Sequence, residues 1–310
     1  MRKLRFMLII FGILFISISL TSCKYKNKRS KYKTFELGFY PQDVLTDQTI
    51  VDELDKLTNR NSLGYYEYNG VQYAKLKCNP QYETDTLFRT TKTKVRIGEE
   101  RYFIVSPITW RILENTDDYL LLTTEYILFT RTFINRSNVK EDTYANNYAE
   151  SDVRKYLNNE FYNIYLESNE AIMETEWDNS YLSVGDGIED NKYLCENTTD
   201  YVSLISSADQ DNKEYGFTKK DDRYAFASDY LIAQGASTNQ ESPNSFYFAA
   251  IEFYTRSPWP FDDEIDDQGT SIDPSEVVYC IDDHGLDNRT TVFAPRGIRP
   301  CIKVDKSKLI

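Results

Sequence analysis

Histidine is almost absent from this chain, which has a single one, His284, in 310 residues. Zinc sites are usually built from histidines and cysteines at short, fixed spacings, and neither residue type shows such spacing here. The sequence also has no HExxH, GxSxG, P-loop or GxGxxG segment. The common zinc proteases, α/β-hydrolases, P-loop nucleotide hydrolases and dinucleotide-binding oxidoreductases are therefore not expected.

Basic residues are scarce outside the N-terminus. Nine of the 36 lysines and arginines precede residue 34, so 27 remain against 49 acidic residues, a net charge of about −22 for the rest of the chain. A strongly acidic domain is repelled by phosphate backbones, and no basic stripe follows Lys33. We therefore expect no nucleic-acid partner and interpret the acidity as a device for solubility outside the cell.

The N-terminus has the pattern of a bacterial lipoprotein signal. A basic start is followed by a short apolar run, FMLIIFGILFISISL, and then by LTSC at 20–23, which matches the lipobox. We predict a signal peptide over 1–22, a diacylglyceryl and palmitoyl anchor on Cys23, and a basic tether over 23–34; an uncleaved single-pass anchor is the alternative. The predicted location is the extracytoplasmic side of the cell membrane, with the membrane as a partner through Cys23.

The rest of the chain shows no linker and no repeat, so we predict one α+β domain over 35–304, with a mixed or antiparallel sheet, flanking helices and a tail over 305–310. The Asn69-Gly70 pair predicts a type I′ hairpin turn, and Ser151 predicts the cap of an amphipathic helix. The other predicted elements are a helix over 49–57 capped by Asp47, a hairpin pairing 109–113 with 119–123, a separate strand at 101–106, a helix over 167–176, and strands near 201–206, 277–281 and 297–304.

Four cysteines follow Cys23, and an even number in an exported domain favours two disulfides. We favour a Cys280–Cys301 disulfide, because a short excursion through 282–296 can bring two late strands side by side. Two alternatives stay open: all four thiols are reduced and buried, or two of them form a catalytic pair.

Acidic residues are dense late in the chain. Asp262, Asp263 and Asp266, with Asp282 further along, offer the oxygen ligands that calcium requires, although no EF-hand spacing is present. A solvated acidic loop is the alternative. Trp259, between two prolines, is the best candidate for an exposed contact aromatic. His284 lies in the turn-like segment IDDHGLD; it is either an exposed polar residue or a ligand contact.

Seven segments in order resemble one bacterial family. FELGFYPQ resembles FGRYPQ; YNGVQYAKL, FIVSPITWRIL and YLLLTTEYIL resemble its YNGxKYAK, PIxWRVL and LLLLSE segments. SDVRKYLNNEF resembles its SxIRxWLNxxF helix, FYTRSP its WWLRSP and GIRPCIKV its GVRPALxL, from about residue 35 to 304. The chain thus resembles domain-of-unknown-function family 6273, which occurs in exported, lipid-anchored proteins. Phe253, Tyr254 and Cys301 depart from that pattern.

The resemblance singles out two arginines, Arg256 and Arg299. If buried, they form structural ion pairs or carbonyl clamps; if they line a cleft, they bind an anionic group. By analogy, the resemblance also implies a C-type-lectin-like or formylglycine-generating-enzyme-like fold.

We expect a lipid-anchored binding or display module that recognises a glycan or a protein, with its recognition surface around residues 257–296, and we do not expect an enzyme. One alternative is a formylglycine-generating-like oxidoreductase with a copper-binding pair, Cys280 and Cys301. The other is a transport-type solute-binding lipoprotein with two lobes.

Overall fold

The computed structural model describes residues 32–82, 84–179, 191–261, 271 and 273–309. Residues Thr34 to Ile310 form one compact unit. The predicted signal peptide and most of the tether lie outside the described residues. Among the described residues, no helix is both long and apolar enough to cross a membrane.

The unit is built mainly from strands. In chain order the strands are β1 (Thr34–Val44), β2 (Tyr66–Tyr68), β3 (Val71–Lys77), β4 (Glu100–Asn115), β5 (Tyr119–Thr124), β6 (Tyr126–Ile127), β7 (Thr130–Arg131), β8 (Thr175–Trp177), β9 (Thr198–Asp200), β10 (Val202–Leu204), β11 (Ala225–Ala227), β12 (Ala250–Ile251), β13 (Phe253–Pro258), β14 (Val277–Ile281), β15 (Asp287–Thr291), β16 (Arg296–Gly297) and β17 (Pro300–Asp305). The α-helices are α1 (Gln48–Leu54), α2 (Asp152–Tyr156), α3 (Ser207–Asp211) and α4 (Asp229–Ala233); a π-helix, Leu157–Tyr165, continues α2.

The largest sheet has the order β10-β17-β5-β4-β3-β2, and β1 also pairs with β4. Its ladders are antiparallel. Strand β4 is long because apolar side chains recur along it and bury against the core, with Trp110 fully enclosed. The indole N–H of Trp110 donates to the carbonyl of Leu37 at 2.9 Å, which fixes β1 beside β4. The predicted strand at 101–106 is therefore the first half of β4 and not a separate strand.

Both predicted hairpins are present. Asn69 and Gly70 have φ values of +52° and +75°, the positive values that a type I′ turn requires at its two central positions. Strands β4 and β5 form the second hairpin around residues 116–118. The turn chemistry is local, so the sequence is sufficient to predict it.

The two predicted helix caps are confirmed, but one of the predicted helices is not present. Asp47 caps α1, and the Ser151 hydroxyl accepts from the Arg154 N–H at the start of α2. The predicted helix over 167–176 is wrong: Glu167 and Ser168 have φ values of +54° and +49°, which end the preceding π-helix, and β8 begins at Thr175. Nothing in that segment's hydrophobic spacing signals this left-handed turn.

The C-terminal strands form a second sheet of order β15-β14-β13-β16-β7, and β6, β11 and β12 form a third. Parallel pairs occur in both, between β13 and β16 and between β11 and β6. With the antiparallel main sheet, two large apolar clusters and short flanking helices, the predicted α+β class is confirmed.

Candidate functional site

Arg299, a predicted ligand contact, is fully buried. Its Nε donates to the carbonyl of Thr124 at 3.0 Å, and its Nη1 donates to the carbonyl of Arg223 at 2.9 Å. The guanidinium also lies 5.2 Å from the ring centroid of Phe253. Arg299 thus clamps separate backbone segments together. This is the carbonyl clamp expected of a buried arginine, and not the anion contact expected of an arginine that lines a cleft.

Arg256, the second predicted arginine, lies on β13 and lines a cleft. Its side chain is only 6 % exposed, and its Nη1 donates to the carbonyl of Leu204 and to the Asp209 carboxylate at 3.1 Å. Its Nε has no hydrogen-bond partner among the described residues. The guanidinium lies 5.7 Å from the ring centroid of Trp177. Arg256 therefore combines a carbonyl clamp with a position on a cavity wall.

We call this cavity the arginine cleft. It encloses about 220 Å³ and lies where strands β4, β5 and β17 of the main sheet meet β8 and α3. Its lining residues are Leu113, Glu114, Tyr119, Leu121, Thr175, Glu176, Trp177, Asp178, Asp209, Tyr215, Arg256, Cys301 and Lys303. The lining combines aromatic and aliphatic side chains with charges of both signs, a composition suited to a small polar ligand.

Trp259 lies away from this cleft, just beyond β13. Its ring contacts Tyr279 at a centroid distance of 4.7 Å and Phe261 at 5.2 Å, and Arg289 lies over it at 5.4 Å. The backbone N–H of Trp259 donates to Val277 at the start of β14. Trp259 is thus a half-buried member of an aromatic cluster at one end of the β14–β15 hairpin.

His284 and Asp282 lie at the other end of that hairpin, in its turn. One Asp282 carboxylate oxygen accepts from the backbone N–H groups of His284 and Leu286, which closes the turn. His284 Nδ1 lies 2.7 Å from Asp283, and Asp282, Asp283 and His284 could place ligand atoms within 4.8 Å of one another. Val277, which Trp259 contacts, and Asp282 in the turn are five residue steps apart along the strand, about 17 Å. Trp259 and His284 therefore do not share a site.

Three of the four predicted calcium ligands, Asp262, Asp263 and Asp266, lie outside the described residues, as does Cys23. The calcium site and the lipid anchor therefore stay predictions. Asp282 is described, and its role there is the turn geometry given above.

The predicted Cys280–Cys301 disulfide is absent, and this is a correction. Cys78, Cys195, Cys280 and Cys301 are all free thiols. Cys280 pairs across the second sheet with Tyr254, whereas Cys301 lies in the main sheet between Ser203 and Thr123. The two late strands therefore enter different sheets. Burial raises the pKa of Cys301 to about 12 and that of Cys280 well above its usual value, so neither is a thiolate at neutral pH.

A second cavity of the described residues was not predicted from the sequence. It encloses about 400 Å³ between the β2–β3 hairpin, the middle of β1 and the end of the π-helix, and we call it the hairpin groove. Its lining residues are Phe39, Leu63, Tyr65, Gly70, Val71, Gln72, Val105, Ile164, Tyr165 and Glu167. Four of these are large apolar side chains left exposed by 49 % (Phe39), 43 % (Leu63), 37 % (Val71) and 37 % (Ile164).

Irregular backbone surrounds the hairpin groove on several sides. The β1–β4 register shifts between Glu36 and Phe39, and Gly38 takes a φ of +73° at that bulge. The π-helix ends in the groove, followed by Glu167 in the left-handed region. Such irregularities cluster at functional sites. An isolated glycine within a strand pattern, as in FELGFYPQ, was the one sequence signal that could have indicated this bulge.

The model of one protein family, a domain of unknown function (DUF6273), matches residues 117–306, which is more than half of the chain. The chain belongs to this family. No curated protein and no solved structure matches it.

The DUF6273 match covers the arginine cleft almost completely but only one wall of the hairpin groove. Phe39, Tyr65 and Val105 precede the matched region, whereas Ile164, Tyr165 and Glu167 lie within it. Residues 34–116 nevertheless belong to the same compact unit, because β3, β4 and β1 continue the sheet that β5 and β17 begin. The groove is thus formed where the DUF6273 region meets the segment that precedes it.

Proposed function

We propose that this protein is a lipid-anchored binding module on the extracytoplasmic side of the cell membrane, and that it displays the hairpin groove to a partner protein. The observation that carries the proposal is the exposed apolar rim of the groove. A monomeric soluble protein rarely leaves several large apolar side chains exposed around one cavity unless they contact something.

The lining chemistry favours an apolar protein segment over a glycan. Glu167 is the single charged side chain among the described residues that line the groove, and Phe39, Leu63, Val71 and Ile164 supply aliphatic or phenyl surface. Sugar hydroxyls need many polar partners, whereas an extended or helical peptide segment inserts apolar side chains into such a groove. Glu167 and the acidic exported domain favour a lysine or arginine next to the apolar side chains of the partner.

Burial of the cysteines weighs against the oxidoreductase alternative, since a copper-binding pair needs adjacent, deprotonated thiols in an open cleft. The compactness of Thr34–Ile310 likewise gives no support to a transport-type binder with two lobes.

The groove is tested with the full chain, purified in detergent and screened in parallel against a random peptide library and a glycan array. We expect selected peptides to combine apolar and basic residues, and Phe39→Asp to weaken their binding by tenfold or more, about 1.4 kcal/mol, because it places a charge in the apolar contact. Phe246→Asp is the matched control, since Phe246 is 85 % exposed and lies outside the groove.

Equal loss in the Phe39 and Phe246 variants would show that the groove is not the recognition surface. Binding to glycans alone would show that the partner class is wrong. The anchor is tested separately with Cys23→Ala, which we expect to abolish palmitate incorporation and to move the protein from the detergent phase to the aqueous phase on phase separation. Unchanged partitioning would contradict the lipid anchor.

A further inference from the structure

We infer that the arginine cleft binds a free α-amino acid, a site separate from the hairpin groove. The argument rests on charges of both signs in one small cavity. Arg256 and Lys303 supply the cations of this lining, which we call the cationic wall, and Glu114, Glu176, Asp178 and Asp209 supply its carboxylates; Asp209 pairs with Arg256.

The cationic wall has capacity left for a carboxylate. Both hydrogen bonds of Arg256 to described residues leave from Nη1, and its buried Nε has no acceptor among them. The Lys303 ammonium lies 4.2 Å from the ring centroid of Tyr119, and no carboxylate of the described residues lies within ion-pair distance of it. Guanidinium and ammonium groups bind carboxylates through charge-assisted hydrogen bonds, and this cavity has one of each in its lining.

Two carboxylates of the cleft, Glu114 and Glu176, form no ion pair with a cation of the described residues, whereas Asp209 pairs with Arg256. Glu114 accepts from the Tyr119 hydroxyl at 3.1 Å, and Glu176 accepts from the Asn197 amide at 3.2 Å. Each bond comes from a neutral donor, so neither carboxylate is ion-paired within the described residues. A ligand with one ammonium group would pair with these side chains while its carboxylate lies at Arg256 and Lys303.

Size and lining narrow the class of ligand further. About 220 Å³ accommodates a single amino acid and is small for an oligosaccharide or a folded partner. Trp177, Leu113 and Leu121 provide an apolar wall for the side chain of the ligand. An α-amino acid carries both charges and a side chain within that volume.

The test is isothermal titration calorimetry of the full chain in detergent with each of the standard amino acids and their enantiomers. We expect saturable heat for at least one of them below about 10 mM, a range in which one-site heats are measurable. For each amino acid that binds, the matching acid without the amine and the matching amine without the acid should bind at least tenfold more weakly.

The variants avoid Arg256, whose clamp on Leu204 makes it a folding risk. Lys303→Met and Glu176→Gln should each weaken binding at least tenfold, whereas Lys77→Met, an exposed strand lysine outside the cleft, should not. The groove variant Phe39→Asp should bind the amino acid normally, so failure of one proposal is distinguishable from failure of the other. Absence of saturable heat, equal binding of the deaminated acid, or unchanged binding by Lys303→Met overturns the inference.

Discussion

Adding a single methyl group at Gly38 should destabilise the hairpin groove strongly. Gly38 has a φ of +73°, and a Cβ built there would lie 2.5 Å from the Tyr165 carbonyl oxygen and 2.7 Å from the Leu166 side chain. Gly38→Ala therefore combines two costs. The left-handed conformation costs about 1–2 kcal/mol for a residue with a Cβ, and overpacking adds about 1–3 kcal/mol.

A matched control separates these two costs. Gly64 has nearly the same φ, +78°, but nothing lies within 4 Å of its Cβ position. Gly64→Ala should therefore lose only the conformational term of about 1–2 kcal/mol, whereas Gly38→Ala should lose about 2–5 kcal/mol. Because the obstructing oxygen belongs to the backbone of the π-helix end, relief requires that end to move away from β1.

The assay is urea unfolding of the full chain, followed by tryptophan fluorescence and compared as midpoints at constant slope. Phe39 follows Gly38, so we also expect Gly38→Ala, and not Gly64→Ala, to reduce peptide binding by the groove. Equal midpoints for the two variants would refute the reasoning, since they would show that β1 does not pack against the π-helix end as closely as the structure has it.

Two further predictions concern the thiols and acid stability. Unfolding the protein in denaturant without reductant should expose four thiols besides Cys23 to a thiol-labelling reagent. The native protein should react slowly with that reagent, because burial raises the pKa values of Cys280 and Cys301. Labelling of two thiols instead of four would show that one disulfide is present after all. Burial alone would raise the pKa of Asp152, but hydrogen bonds from Asn135 and Asn138 outweigh it and hold that pKa below 3.8. The stability that Asp152 contributes is therefore present above pH 3.8 and is lost as the pH falls through its lower folded pKa. The difference in melting temperature between the wild type and Asp152→Asn should shrink over that acidic range. A difference that stays constant with pH would contradict this prediction.

Local signals were reliable in this chain where the chemistry is local. Asn69 and Gly70 specify their turn through their own φ preferences, and Ser151 and Asp47 cap helices through bonds to residues two or three positions away. The helix predicted over 167–176 failed because the left-handed residues Glu167 and Ser168 carry no side-chain signature. The Cys280–Cys301 pairing failed because adjacency in the sequence of strands does not decide which sheet each strand joins.

The candidate sites also depend on tertiary packing that local sequence signals do not encode. Arg256 and Arg299 were singled out together, yet one lines a cleft and the other is enclosed, since only packing decides which arginine meets solvent. Trp259 and His284 were grouped by their closeness in the chain, and the hairpin between them holds them apart.

The sequence by itself determined the α+β class, the hairpin turn, the helix caps and the two arginines worth following, because propensity, turn chemistry and periodicity act over a few residues. It also carries the lipobox that predicts the anchor at Cys23. The tertiary structure alone decided where cavities lie, because the hairpin groove joins Phe39, Val105 and Tyr165, and the arginine cleft joins Glu114, Arg256 and Lys303. Side chains separated by scores of residues become neighbours only through sheet order and register, which no local pattern encodes.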